Sequence, residues 1–128
     1  MYAYVDESDR HHESCLELLT THPGPLLVPT LVITEVVHLL ATRLGQAAEV
    51  RFLGDLASGA LIAEPVHSSD WLRMADLVWN YRDFPLGTVD ASLVASAERR
   101  KIDTIATLDY RHFTVVQPNH VKAFTLLP

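Results

Sequence analysis

Leu26-Leu27-Val28-Pro29-Thr30-Leu31-Val32-Ile33-Thr34-Glu35-Val36-Val37-His38-Leu39-Leu40 decides the fold class. The first four residues follow the turn Pro23-Gly24-Pro25 as a short apolar run, which reads as a buried strand. Pro29 and Thr30 then open a helix that runs to about Leu44 and stops at Gly45, a residue suited to a helix C-terminus. A strand passing directly into a helix is the repeating step of an α/β fold. The step recurs downstream. Gln46 to Ser58 has helical spacing at Ala48, Phe52 and Leu56 and stops at Gly59, and Leu61 to Val66 reads as a strand. Ser68 and Ser69 are capping candidates for a helix from Asp70 to about Tyr81. Thr88 can cap a helix through Arg100 with the stripe Val89, Asp90, Leu93, Val94 and Ala97. Ile102 to Leu108 is a strand, Tyr110 to Phe113 one helical turn, and Lys122 to Leu127 a last strand. The alternation predicts a mostly parallel sheet covered by helices, with the ligand crevice outside the carboxyl ends of the strands.

The chain has 128 residues, the size of one domain, so residues 1–128 are read as a single unit. Apolar residues make up 48% and charged residues 20%, too apolar for disorder. The net charge of −6 argues against a general DNA-coating protein. It leaves room for an enzyme whose own site is acidic. Cys15 is the only cysteine, so an intrachain disulfide is excluded and a reducing, cytoplasmic setting is expected. No apolar run approaches the ~20 residues of a membrane span, so no membrane partner is expected.

Three carboxylates stand where a solvated face does not readily explain them. Glu35 is the only acid in a nearly apolar helix; the alternative is a thin wet stripe of Thr34, Glu35, His38 and Thr42. Asp90 shares a helical face with Leu93, Val94 and Ala97, or serves the positive end of the helix dipole. Asp109 follows the strand Ile105-Ala106-Thr107-Leu108, or caps the turn that follows. Two carboxylates ~4 Å apart repel by about 4 kcal/mol at an effective dielectric of about 20. A hard divalent cation relieves that repulsion, which makes Mg²⁺, or alternatively Mn²⁺, the expected cofactor if the three converge.

The segments Leu31-Val32-Ile33-Thr34-Glu35-Val36, Asp83-Phe84-Pro85-Leu86-Gly87-Thr88-Val89-Asp90-Ala91-Ser92 and Thr107-Leu108-Asp109-Tyr110-Arg111-His112-Phe113 resemble the PIN-domain ribonucleases. More narrowly, they resemble the VapC-type toxins of toxin–antitoxin pairs. The resemblance implies a three-layer α/β/α sandwich around a mostly parallel sheet. It implies a Mg²⁺-dependent endoribonuclease acting on tRNA or other structured RNA, neutralised by a cognate antitoxin and usually dimeric. Carried over residue by residue, Glu35, Asp90 and Asp109 match the acids that hold the metal. Thr107 matches a small hydroxyl residue beside the last acid, and Asp83 a frequent acid with no assigned role. Arg111, two residues past Asp109, is the candidate for gripping an RNA phosphate, or is a solvated turn residue.

The beginning of the chain departs from the family pattern of an apolar strand ending in Asp followed by Thr or Ser. Met1-Tyr2-Ala3-Tyr4-Val5-Asp6-Glu7-Ser8-Asp9-Arg10-His11-His12 aligns instead with the end of a short helix and an acidic loop. The first strand and its metal-binding Asp are therefore expected upstream of Met1, and an alternative function follows. That alternative is a catalytically impaired PIN-like module that binds antitoxin or RNA. Reading Tyr2–Val5 as the strand and Asp6 as the ligand puts Asp6 too close to the helix that starts near Arg10, so Asp6 stays outside the site. The seven histidines show no zinc spacing and are expected mostly at the surface. Arg99-Arg100-Lys101 suits a helix C-terminus, and Trp71 and Trp79 suit core packing or a dimer face.

Overall fold

Glycines and prolines punctuate the chain where helices must stop, and the computed structural model, which describes residues 1–128, follows that punctuation closely. By its internal contacts the chain divides into two compact units, Met1–Glu64 and Pro65–Pro128.

The first unit runs α1 (Tyr2–Val5), α2 (His12–Thr21), β1 (Leu27–Pro29), α3 (Thr30–Arg43), α4 (Gln46–Ser58) and β2 (Ile62–Glu64). Tyr2–Val5 is helical, which removes the reading of that segment as a strand. His12 Nδ1 lies 2.9 Å from the Ala3 carbonyl and ties α2 to α1. β1 pairs parallel with β2, Val28 standing opposite Ala63. The core gathers Val28, Val36, Leu40, Ala48, Phe52 and Leu61, with Leu40 and Phe52 wholly buried. α3 contributes Val36 and Leu40 because they lie four apart on one face.

Gly59 ends α4 at φ 83° and ψ 6°, in the left-handed region where a side chain is strained. A Cβ there would meet no atom within 4 Å, so its cost is conformational rather than steric. Gly59→Ala is expected to destabilise the protein by about 1 kcal/mol, and Gly59→Asn by less, since asparagine tolerates this conformation better. Urea unfolding of the two variants checks the order.

The second unit runs α5 (Asp70–Asn80), α6 (Thr88–Arg100), β3 (Thr104–Ala106), α7 (Tyr110–Val115) and β4 (Thr125–Leu127). β3 pairs parallel with β4, Ile105 opposite Leu126. The expected parallel α/β pattern is present, as one strand pair in each unit. Strands are shorter than the apolar runs that predicted them, because only three residues of each find a partner.

α5 packs on α6, and Met74, Leu77 and Val94 are buried. Two ion pairs cross this contact in opposite senses. Asp70 of α5 receives Arg99 of α6, Nε lying 3.0 Å from Oδ1 and Nη2 3.2 Å from Oδ2. Arg73 of α5 grips Glu98 of α6 through Nε and Nη2, each at 2.9 Å. Arg99 therefore does more than suit the end of its helix: it is held by Asp70. Neither Ser68 nor Ser69 caps α5 as expected. Asp70, its first residue, instead holds the preceding turn, its Oδ2 accepting the His67 N–H at 2.9 Å.

The expected stripe of α6 is corrected in part, since Val94 and Ala97 are buried as expected. Val89 and Leu93 are only half-buried, whereas Ala91, Ser92, Ala95 and Ser96 are buried. Small side chains let neighbours approach α6 around most of its circumference. Ser92 keeps its hydroxyl satisfied by donating to the Val89 carbonyl at 2.6 Å. Trp71 and Trp79 are 54% and 65% exposed, so neither is a core residue. The guanidinium of Arg82 lies 4.1 Å from the Trp79 ring centre.

Candidate active site

Asp109 is placed by its immediate neighbours. After β3 ends at Ala106, the Asp109 N–H donates to Thr107 Oγ1 at 3.0 Å, fixing the turn. Asp109 then caps α7, its Oδ1 accepting the Arg111 N–H at 3.2 Å. The capping reading is thus correct, but it occupies one oxygen only. Oδ2 lies 3.7 Å from His112 Nδ1.

Asp90 is the third residue of α6, within the first turn, where the helix dipole favours a carboxylate. Its Oδ2 lies 2.9 Å from the same His112 Nδ1. Two carboxylates from α6 and the cap of α7 therefore face one ring nitrogen. Their side chains are 31% and 56% exposed, open to a solvated ligand, while the His112 side chain is 11% exposed. The imidazole is held edge-on by Phe84, ring centres 5.8 Å apart.

The His112 tautomer follows from its other neighbour. Arg111 Nη2 lies 3.4 Å from His112 Nε2. A guanidinium has only protons to give, so Nε2 accepts and Nδ1 carries the ring proton. His112 Nδ1–H therefore donates to Asp90 Oδ2, while Arg111 meets the ring at its other nitrogen.

Of the residues expected in the site, Asp90, Asp109, Thr107 and Arg111 come together in the second unit around His112. Glu35 stands in the first unit, exposed on α3 in the stripe with Thr34, His38 and Thr42. No group of three or more His, Cys, Asp or Glu side chains is arranged to hold a metal ion. Asp6 is engaged locally, accepting the Ser8 O–H at 2.6 Å and its N–H at 3.0 Å. The Ser8 hydroxyl, followed by the Ser8 N–H, holds the Asp6 carboxyl below its usual range. Asp83 is exposed.

His112 is the member that sequence reasoning missed. The expectation that most histidines lie at the surface holds for His22, His38 and His67. His11, His12 and His120 are half-buried, and His112 is buried. The available signal was Asp109 and His112 three apart, one helical step, next to buried Phe113.

Residues 1–117 match the PIN domain, and the chain belongs to the PIN-domain family. It is 34% identical over 128 residues to Ribonuclease VapC26 of Mycobacterium tuberculosis, a similarity covering 100% of this chain and 95% of that one. The fold is similar to the crystal structure of VapC20 of Mycobacterium tuberculosis, a sarcin-ricin loop cleaving toxin. That match has a TM-score of 0.74 at 20% identity and covers 80% of this chain and 79% of the other. No helix of the chain is long and apolar enough to cross a membrane.

Proposed function

We propose that the chain is a VapC-type endoribonuclease toxin that hydrolyses RNA phosphodiester bonds with a divalent cation, Mg²⁺ or Mn²⁺. The observation that carries this reading is the convergence of the Asp90 and Asp109 carboxylates on one edge of the His112 ring, each reaching Nδ1 with a single oxygen. The whole-length similarity to a ribonuclease supports it. A half-buried and an exposed carboxylate, Asp90 and Asp109, fit the cation, since Mg²⁺ commonly takes one or two carboxylates and keeps several waters. Asp90 and Asp109 would hold it. Bound there, the cation would supply an activated water and a Lewis acid for the phosphodiester.

The protein's own residues divide the remaining work. Thr107 fixes the turn that presents Asp109. Arg111 offers donors to a phosphate oxygen of the substrate. The net charge of −6 leaves RNA attraction to such local cations. Structured RNA, tRNA included, is the proposed substrate class, and an antitoxin and a second copy of the chain are the proposed partners. The family match crosses the boundary between the two units, which supports their working as one domain.

A second reading is a catalytically impaired PIN-like module that binds antitoxin or RNA. One observation favours it: only two acids meet at His112 and no three-acid group forms. Cleavage of a mixed tRNA pool by the full chain separates the two. Cleavage is expected with Mg²⁺, is lost in excess EDTA and returns when Mg²⁺ or Mn²⁺ is restored. Binding of RNA with no cleavage under any of these conditions establishes the second reading instead.

A further inference from the structure

We propose that His112 is a positioning residue that aims Asp90 at the cation, and that Arg111 sets the tautomer in which it does so. The proposal rests on the metal reading above and adds to it a residue that touches neither substrate nor cation.

A carboxylate has two oxygens and rotates freely unless one is held. Asp90 Oδ2 is held by the His112 ring at 2.9 Å, which leaves Oδ1 as the oxygen free to bind a cation. The ring is itself fixed. It is buried, it meets Phe84 edge-on at 5.8 Å, and its Nε2 receives Arg111 at 3.4 Å. Because arginine only donates, the opposite tautomer would set two donors against each other at Nε2 and leave Nδ1 a lone pair facing Asp90. Arg111 thus makes Nδ1 the donor. The same ring nitrogen stands 3.7 Å from Asp109 Oδ2, so one N–H lies between two anions and moderates their repulsion until a cation enters. Groups that orient a metal-binding side chain in this way commonly change metal affinity by about 10–100-fold when removed.

The test measures Mn²⁺ binding to the full chain by electron paramagnetic resonance, alongside thermal melts. His112→Phe keeps a ring against Phe84 but has no donor, and His112→Leu is a second donorless variant should the first not fold. His112→Asn restores an N–H near the position of Nδ1. The expected result is a Mn²⁺ dissociation constant raised about 10–100-fold in the donorless variants and recovered in His112→Asn. Unchanged affinity in the donorless variants, with Mn²⁺ binding lost in Asp90→Asn, overturns the role of His112 and keeps the metal reading. Failure of His112→Asn to recover affinity also overturns it, since ring packing alone would then account for the loss. Mn²⁺ binding by Asp90→Asn equal to that of the unsubstituted chain overturns the metal reading and the proposal together.

Discussion

Asp90→Asn is expected to lower RNA cleavage by about three orders of magnitude and to abolish growth arrest on expression. The size follows from the chemistry. Lewis-acid stabilisation by a bound cation contributes several kcal/mol to the transition state, and each 1.36 kcal/mol is about tenfold in rate. Asparagine has the shape of aspartate but no charge. Its side-chain oxygen can still accept the His112 N–H, so the ring and Phe84 keep their places. The loss is therefore expected without a large change in melting temperature. A cleavage assay on the full chain, paired with a thermal melt, gives both readings. Activity within tenfold of the unsubstituted chain would show that Asp90 is not part of the cation site.

The second large effect concerns stability. Asp70→Ala leaves Arg99 without its bidentate partner between α5 and α6. Breaking a buried ion pair costs about 3–5 kcal/mol when both groups are deeply buried. Here the Asp70 side chain is 5% exposed and that of Arg99 21%, which places the expected loss nearer roughly 2–3 kcal/mol. For a chain of this length that lowers the melting temperature by about 10 °C.

The pH dependence has a definite sign. Burial alone would raise the Asp70 pKa, but the Arg99 hydrogen bonds and the His67 N–H together outweigh it and hold the carboxyl below its usual range. A carboxyl depressed in the folded state contributes stability that is present above its unfolded pKa of about 3.9 and is lost as pH falls through the folded value. The stability gap between the unsubstituted chain and Asp70→Asn is expected to be full at neutral pH and to narrow below about pH 4. Urea titrations at neutral and acidic pH measure it. A gap that stays constant into acid would show that the charge of Asp70 contributes nothing.

Helix boundaries were legible because the chain states them in local chemistry. Gly45 and Gly59 both take positive φ, and α3 and α4 stop where they stand. Strand extents were less legible. Ile102 to Leu108 is an apolar-rich run of which only Thr104–Ala106 pairs, because the pairing length is set by β4, a partner some twenty residues away. The burial of α6 was misread for a related reason. A stripe of large residues predicts one covered face, whereas Ala and Ser positions are covered by neighbours that only the fold supplies.

The site divides along the same line. Asp90, Asp109, Thr107 and Arg111 were named from a resemblance carried by short motifs, and each lies in the second unit around one ring. Glu35, named in the same way, lies exposed in the first unit. His112 was invisible to motif reading because its partner Asp90 is 22 residues away. Composition gave no help either, since the acids of the site are a small part of the 16 in the chain.

The crossed pairs between α5 and α6 act as a gauge of helix alignment. Asp70 and Arg73 lie one turn apart on α5, with opposite charges, and they face Arg99 and Glu98 in that order. Sliding α5 by one turn would bring Arg73 toward Arg99 and turn attraction into repulsion, so a single alignment is allowed. α6 also carries Asp90, eight residues before Glu98. The salt bridges at one end of that helix thereby fix how far its other end reaches toward His112, and a charge reversal at Arg73 or Glu98 would be felt as a misplaced carboxylate two turns away.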